Sequence, residues 1–387
     1  MYSYEDLFDQ RSVVGAKLEE LLKERNLTKI QLCKETNVSR PTIDKLLAGS
    51  VQSKANFERH MRKILEYLQV TPDLLMGNRI LQHNRIRAIR NILREKVEDL
   101  ASKTGYSVER IQQIEAGEEA TLAELRDLAL ALDTGTRCIL GNEFFEPQFA
   151  MLDDILSEDD EVSRGCGYWG HIGILPVGSE KHSWFPITWD VHNRICRQMQ
   201  HMKRMVVPCM NNKILLLNLK NIKQFLLLDD ACDQPGFTNW DHEVNCGNIP
   251  LVLYEALEDY VYDEVEAEKT HENMSEKFYK VMKYAAEQEG WNEESMNVLM
   301  STIIWYRDGK NQYTGMNYDR DSSLLSEIET LYSYEDDEFS EDFLDYEEVD
   351  GAEIFINMNE VSMIELPLVH VEEAICNSME KEYEAMD

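Results

Sequence analysis

Two stretches near the start of the chain repeat one pattern of apolar and polar positions. Residues 29–49 and 97–117 align without a gap at an offset of 68 positions. In each stretch, apolar residues recur at helical spacing on both sides of a short polar break. The pattern therefore predicts two pairs of short helices, each pair joined by a tight turn. The matching apolar positions include Leu32 with Leu100, Ile43 with Ile111, and Leu46 with Ile114.

The residues at the break explain why one helix stops and the next begins. Asn37 and Gly105 occupy the same position in the two copies, and both residue types tolerate the left-handed backbone that ends a helix. Ser39 and Ser107 follow at the position of an N-cap. Pro41 suits the first turn of a helix but would break its interior. Each copy therefore predicts a helix, a tight turn and a capped second helix.

Both copies resemble the helix-turn-helix of lambda-repressor/Cro-like (XRE-type) transcriptional regulators. The resemblance extends over about residues 14–78 and 85–142, flanking segments included. It implies an all-α N-terminal half made of two five-helix domains, at residues 1–78 and 79–142. It also implies that the partner is double-stranded DNA.

In that family, the second helix of the motif enters the major groove and its N-terminal part reaches the base edges. Arg40 has the forked donors that suit guanine, although a phosphate is an equal alternative. Lys29 stands at the start of the preceding helix and Lys54 just before the fourth helix, where both can meet phosphate. The residues implied to contact DNA are Lys29, Ser39, Arg40, Thr42, Lys45 and Lys54 in the first copy, and Ser107, Arg110, Gln112 and Gln113 in the second.

The second copy has a mixed-charge reading face. Glu109 replaces Pro41, and further glutamates follow where the chain leaves the second helix. These carboxylates would repel phosphate, whereas Arg110 and the two glutamines suit base reading. The second copy therefore predicts DNA binding, dimerisation or protein contact, and the sequence leaves these alternatives open.

The pattern changes after residue 142. Residues 143–165 include an acidic run and predict a linker. Short apolar runs then alternate with turn residues, so we expect an α+β domain with antiparallel strands at residues 166–387. The predicted strands are 167–178, 182–189, 205–209, 213–219 and 222–228, with a helix over 191–204 and a largely helical stretch over 251–306 that includes Trp291, Met296, Leu299 and Ile303.

A fainter repeat lies within this second part. Residues 213–225 resemble residues 353–365, with Asn218 matching Asn357. Each predicts a hairpin of two apolar strands joined by an asparagine-rich turn, and two such hairpins could pair.

The segment 333–350 is strongly acidic. It holds ten Asp and Glu residues and no Lys or Arg. The composition predicts a solvated loop. The alternatives are an acidic face for a basic partner, or an internal competitor with DNA. Four apolar residues among the acids (Phe339, Phe343, Leu344 and Tyr346) resemble a short protein-docking segment.

Charge divides the chain in the same way as the pattern does. Of the net charge of −34, residues 1–150 carry −1, with 22 Lys and Arg against 23 Asp and Glu. The remaining residues carry 17 basic against 50 acidic side chains, a net of −33. The first part can therefore approach a polyanion, whereas the second would repel it.

Composition and motifs argue against several classes of protein. No apolar run is long enough for a membrane span. The eight cysteines are scattered, as expected of reduced thiols in the cytoplasm, and the best metal candidate, Cys232–His242–Cys246, is weak. Catalytic spacings such as a Walker loop or H-E-x-x-H are missing. We therefore expect neither an enzyme nor a bound cofactor.

These features favour a cytoplasmic transcriptional regulator, with a repressor as the leading expectation. We expect it to bind a palindromic or repeated operator as a homodimer. The alternative is an antitoxin-like or adaptor protein, whose acidic C-terminal domain binds a protein partner and whose helix-turn-helix units give autoregulation. A third hypothesis is a C-terminal domain that senses a ligand or has enzymatic activity.

Overall fold

The computed structural model describes residues 4–25, 27–36, 38–51, 53–68, 70–76, 82–149, 167–229, 249–265, 273–335 and 341–386. Within these ranges, a helical N-terminal region precedes a region with antiparallel sheets, so this order is confirmed. Several predictions concern residues outside these ranges, namely Asn37, most of the linker, the Cys232–His242–Cys246 candidate and Phe339.

Residue contacts divide the chain into two compact units. The first unit comprises residues 1–88 and 95–121, and the second comprises residues 89–94 and 122–387. The segment 79–142 therefore contributes residues to both units. The domain boundaries given by the sequence stay predictions.

The first unit is helical and has one more helix at its start than the sequence predicted. Leu7 of this added helix is buried, and the ring of Phe8 lies 5.5 Å from that of Phe57 in an edge-to-face arrangement. The helices up to residue 115 are α1 Tyr4–Asp9, α2 Arg11–Glu24, α3 Lys29–Thr36, α4 Arg40–Leu47, α5 Lys54–Leu68, α6 Pro72–Met76, α7 Ile86–Ile92 (which crosses the division between the units), α8 Val97–Thr104 and α9 Val108–Glu115.

The second unit combines helices with three antiparallel sheets. Its strands are β1 Tyr168–Pro176, β2 Ser183–Thr188, β3 Arg204–Cys209, β4 Lys213–Asn218, β5 Ile222–Asp229, β6 Thr302–Tyr306, β7 Asn311–Thr314, β8 Phe343–Glu347, β9 Glu353–Asn357 and β10 Val361–Pro367. Its further helices are α10 Leu122–Ala131, α11 Thr136–Leu140, α12 Trp189–Gln198, α13 Leu251–Glu255, α14 Leu257–Val265, α15 Glu276–Glu289, α16 Glu293–Leu299, α17 Ser323–Tyr334 and α18 Leu368–Met386.

A five-stranded sheet in the order β3-β4-β10-β6-β7 forms the centre of the second unit. Its β4 strand is buried on both faces, because Ile214 and Leu216 pack into one apolar cluster and Leu215 and Leu217 into another. Residues from α17 and α18 contribute to the first cluster, and residues from α12 and the β2-β1-β5 sheet contribute to the second. The run of apolar residues without alternation follows from this two-sided burial.

The prediction of two hairpins is wrong, because the two strands of each repeat lie in different sheets. The expected pairing between the two repeats is present, as the pairing of β4 with β10. After β4 the chain makes one 3₁₀ turn and enters a different sheet, where β5 pairs with β1. After β9, which pairs with β8, the chain likewise enters the central sheet as β10. Strands β4 and β10 then pair with each other. Side-chain amides join the two segments where each passes from one sheet to the other. Asn218 donates to the carbonyl of Met358 over 2.6 Å, and Asn221 donates to that of Val361 over 2.7 Å.

Two further predictions in this region need correction. Ile303 lies on strand β6 rather than on a helix, because that segment completes the central sheet. The segment 333–350 is not simply a solvated loop, since residues 343–347 form strand β8. Leu344 and Tyr346 are buried in the core, so they cannot serve as docking residues.

A buried ion pair joins the central sheet to α17. Arg204 on β3 donates to Glu327 on α17 over 2.7 Å, and each side chain is 9% exposed. A second guanidinium nitrogen of Arg204 donates to the carbonyl of Glu341. These contacts fix the position of the helix against the edge of the sheet.

Candidate nucleic-acid interface

Helix α4 presents one apolar and one polar face. Ile43, Leu46 and Leu47 are buried, which fixes the inner side of the helix in the core of the first unit. Ser39 occupies the N-cap position with an extended backbone, and its hydroxyl lies 2.8 Å from that of Thr42. Most of the outer side is exposed, so that groups at the start of the helix are available to an external partner.

The candidate DNA contacts of the first copy lie on this accessible side or beside it. Ser39, Arg40 and Lys45 are exposed, and Thr42 is partly exposed. Lys54 begins α5 and is partly buried. The structure thus places Ser39, Arg40, Thr42 and Lys45 on or beside the outer side of α4 and places Lys54 on α5, while their contact with DNA stays a prediction.

Lys29 has a partner that the sequence did not reveal. Its ammonium lies 3.0 Å from a carboxylate oxygen of Asp44, and the two side chains are 42% and 48% exposed. An ion pair this exposed contributes little stability, about 0–1 kcal/mol. Lys29 can therefore exchange Asp44 for a phosphate at small cost. Asp44 would then lie close to the DNA backbone.

Helices α8 and α9 repeat the bounds of α3 and α4 at the same offset of 68 positions. Gly105 ends α8 with a positive φ of 86°, and Ser107 caps α9 by accepting from the backbone N–H of Arg110 over 3.1 Å. Ile111 and Ile114 are buried, as are their counterparts in α4. Local sequence chemistry thus builds the same helix pair twice.

The arginine on the outer side of α9, Arg110, is held by contacts within its own chain. Arg110 donates to the carbonyl of Glu119 over 3.0 Å and pairs with the carboxylate of Glu118 at 3.2 Å. Gln112 and Gln113 are exposed. Base reading by Arg110 would first have to break contacts within its own chain, whereas the glutamines are accessible.

Helix α5 carries a cluster of basic residues that was not among the predicted DNA contacts. Arg59, Arg62 and Lys63 are exposed within five positions, a signal visible in the letters RHMRK. Burial, followed by the charges of Arg59 and Lys63, lowers the pKa of His60 among them. This surface favours an anionic neighbour.

The position of α4 depends on a close approach to α2. A Cβ atom at Gly15 would lie 2.3 Å from the carbonyl oxygen of Leu47 and 2.8 Å from that of Leu46. Both atoms belong to the backbone, so a side-chain movement cannot relieve the overlap. Glycine at position 15 therefore lets α2 pack directly on the last turn of α4.

We expect Gly15→Ala to destabilise the first unit by about 1–3 kcal/mol, the usual cost of overpacking. Hydrogen exchange of the intact protein measures this, through faster exchange of the amides in α2 and α4. Ala16→Ser is the matched control, since Ala16 is exposed on the same helix. Equal protection in Gly15→Ala and in the control would contradict the prediction.

A polar cavity in the second unit is the main alternative site. Glu255 accepts from the backbone N–H and the hydroxyl of Thr136, each over 2.8 Å. Glu372 accepts from the backbone N–H groups of Phe144 and Phe145 over 3.0 and 3.1 Å. Both carboxylates hold neighbouring backbone in place, which accounts for their burial without a ligand. The cavity is lined by Leu122, Arg126, Thr136, Arg137, Tyr254, Glu255, Glu258, Met300, Val369, His370, Glu372 and Glu373.

Burial shifts the pKa values of these carboxyl groups. It raises the pKa of Glu372 to about 7, against partial compensation by the two backbone donors. Burial also raises the pKa of Glu255. Hydrogen bonding to His370, 3.4 Å away, lowers the pKa of Glu258 instead. Over the described ranges, His, Cys, Asp and Glu residues form no cluster of three suited to a metal ion.

Comparison with known proteins supports the first copy. A family model of the Cro/C1-type HTH DNA-binding domain matches residues 17–77. No curated protein matches the chain, and no solved structure does. None of the described helices is both long and apolar enough to span a bilayer. Residues 17–77 thus support a DNA-binding regulator.

Proposed function

We propose that this chain is a sequence-specific transcriptional repressor, which reads DNA with helix α4 of its Cro/C1-type domain at residues 17–77. The observation that carries the proposal is the exposed start of α4, where Arg40 lies beside the N-cap on a helix whose opposite side is buried. Lys29, Lys45 and Lys54 would supply phosphate contacts that set the register. The proposal assigns the protein to the cytoplasm and assigns it no catalytic role.

We also propose a second helix-turn-helix domain that binds DNA more weakly. Residues 79–142 would form another five-helix domain, supported by the matching bounds of α8 and α9. Because Arg110 is bound by Glu118 and Glu119, this unit would rely on Gln112 and Gln113 or serve dimerisation. A homodimer would then read half-sites about 34–36 Å apart, or a multiple of that distance.

A gel-shift assay with the DNA upstream of the gene, over a salt series, tests the function. We expect tight binding to one or a few sites, and weaker, strongly salt-dependent binding to other sequences. Equally weak binding to every sequence would contradict a sequence-specific repressor.

Substitution of Arg40 tests which residues read the operator. We expect Arg40→Ala to weaken specific binding by about 1–3 kcal/mol, because alanine removes a forked donor from the groove. Arg110→Ala is the matched control, with a smaller expected loss because the arginine already has partners within the chain. If Arg40→Ala binds the operator as tightly as the wild type does, Arg40 is not a base contact.

A second candidate function is that of an antitoxin-like or adaptor protein. The charge distribution favours it, since residues 151–387 carry a net charge of −33. In that case the second unit binds a basic protein, and DNA binding serves autoregulation. Co-purification with the product of the adjacent gene, lost when residues 166–387 are deleted, would support this function over the first.

A further inference from the structure

Strand β9 has an open edge. Within the part of the chain that the structure describes, β9 pairs with β8 and with no other strand. Backbone hydrogen bonds from Met358 to Asp342 and from Glu348 to Ala352 continue this ladder at its two ends. In an antiparallel ladder, pairs that exchange hydrogen bonds alternate with pairs that exchange none.

This alternation fixes which backbone groups face outwards. The hydrogen-bonded pairs at the two ends of the ladder set the alternation. Ile354 and Ile356 therefore direct their N–H and C=O groups towards β8. Glu353 and Phe355 therefore direct theirs away from β8, towards the free edge. No backbone hydrogen bond joins these outward groups to another described residue. The edge thus offers two donors and two acceptors to an added strand.

The side chains beside this edge are also accessible. Phe355 is 65% exposed, and Phe343 on the same face of β8 is 53% exposed. On the opposite face, Leu344, Tyr346 and Ile356 are buried in the core. The hairpin is therefore anchored on one side, while the other side carries exposed rings next to open backbone groups.

The charges on the exposed face select a basic partner. Glu347 lies directly opposite Glu353 in the β8–β9 register, and like charges in that position destabilise a sheet. Asp345 lies opposite Phe355. Two further carboxylates, Asp319 and Asp321, line the same hollow as these residues, against a single arginine, Arg320, which lies 3.7 Å from Glu347. A cation placed between Glu347 and Glu353 would relieve their repulsion.

We propose that the free edge of β9 is the docking site for an extended, basic segment of a partner protein, which adds as a strand beside β9. The inference rests on the partner-binding role proposed above and specifies its surface. A Lys or Arg across from Glu353 would balance the charge of Glu353, while Arg320 lies beside Glu347. An apolar or Arg side chain across from Phe355 would cover the exposed ring.

A charged, short edge strand can also serve only to keep copies of a protein apart. Phe355 does not suit that role. An exposed aromatic ring beside unpaired backbone groups raises the risk of edge-to-edge association. A docking edge accounts for both the ring and the surrounding carboxylates.

Fluorescence anisotropy of the intact protein with a labelled peptide tests the proposal. The probe is a synthetic segment of alternating arginine and valine, and a second probe carries N-methyl groups on its arginines, whose N–H groups face β9 when an arginine lies across from Glu353. We expect the first peptide to bind and the second, which lacks the backbone donors of that edge, to bind at least roughly tenfold more weakly. Equal binding of the two peptides would overturn strand addition.

Variants of the protein locate the site. Phe355→Pro removes an outward N–H while leaving the ladder with β8 intact, so proline is tolerated there. We expect Phe355→Pro, Phe355→Ser and Glu353→Gln each to weaken binding of the peptide. Tyr313→Ser and Glu294→Gln are matched controls, because both residues are exposed elsewhere on the second unit. If the controls lose as much affinity as the β9 variants, binding of the peptide does not depend on this edge and the proposal fails.

Failure of this interface is separable from failure of the proposed DNA binding. A gel shift with the Phe355→Pro protein measures operator binding independently of the peptide. Loss of peptide binding with an unchanged shift supports the docking edge. An unchanged affinity for the peptide in both Phe355 variants rejects the docking edge, whatever the shift shows.

Discussion

Replacement of Glu327 by alanine lowers the free energy of unfolding of the second unit by about 3–5 kcal/mol in our expectation. Both side chains of the Arg204–Glu327 pair are buried, so removal of the carboxylate leaves a guanidinium charge in the interior without its ionic partner. The hydrogen bond to the carbonyl of Glu341 remains but supplies no opposite charge, so desolvation of the guanidinium is offset less fully. The substitution is therefore expected to lower the free energy of unfolding by more than the loss of one hydrogen bond would.

Tryptophan fluorescence during urea unfolding measures this effect selectively. All six tryptophans lie after residue 168, so the signal follows the second unit. The double variant Arg204→Met/Glu327→Leu is the control, and it should recover most of the lost stability because neither charge remains. A wild-type unfolding midpoint in Glu327→Ala would show that the pair contributes nothing.

The second large effect concerns pH. The free energy of unfolding should fall by about 3 kcal/mol through Glu372 alone as the pH rises from about 4.5 to about 7. The folded state raises the pKa of this carboxyl from 4.5 to about 7, so the folded protein binds its proton more tightly than the unfolded chain does. The stability is therefore greatest below the unfolded pKa and is lost as the pH rises through the folded pKa.

Glu372→Gln should remove this loss, because the amide oxygen can still accept from Phe144 and Phe145 but carries no charge. Urea unfolding at a series of pH values, followed by tryptophan fluorescence, compares the variant with the wild type. Glu255 and Glu365 also have raised pKa values, so the difference between the two proteins is the informative quantity. Glu294→Gln, at an exposed position, should keep the wild-type slope. Parallel curves for Glu372→Gln and the wild type would contradict the prediction.

The helix pairs of the first unit could be predicted because short-range chemistry determines them. Gly105 ends α8 in the left-handed region and Ser107 caps α9, and both interactions involve residues within three positions. The same argument placed the N-cap of α4 at Ser39, although its hydroxyl meets the hydroxyl of Thr42 and does not cap a backbone N–H. The exposure of Arg40 and Lys45 follows from the same helical spacing. Local chemistry does not determine which bases or phosphates Arg40 and Lys45 would contact.

Contacts between distant residues escaped prediction. The turn after β4 has the local form of a hairpin, but β4 pairs with β10, more than 140 positions away. The apolar run of β4 contained the missing signal, since a strand without alternation is buried on both faces. In the acidic segment, the buried residues Leu344 and Tyr346 alternate with exposed or half-buried ones. The high number of carboxylates masked this period of two in the sequence. The pairing of Arg110 with Glu118 likewise depends on the path of the chain after α9.

The position of β10 has a consequence for synthesis of the protein on the ribosome. This strand lies in the middle of the five-stranded sheet, between β4 and β6, yet among the described strands it is the last to be made. Until it emerges, β4 and β6 lack their shared neighbour, and two apolar strand edges remain open to aggregation. The first unit, complete by residue 121, can fold long before this step. A nascent chain stalled before residue 361 would therefore carry a finished helix-turn-helix domain together with an unfinished sheet whose open edges are prone to aggregation.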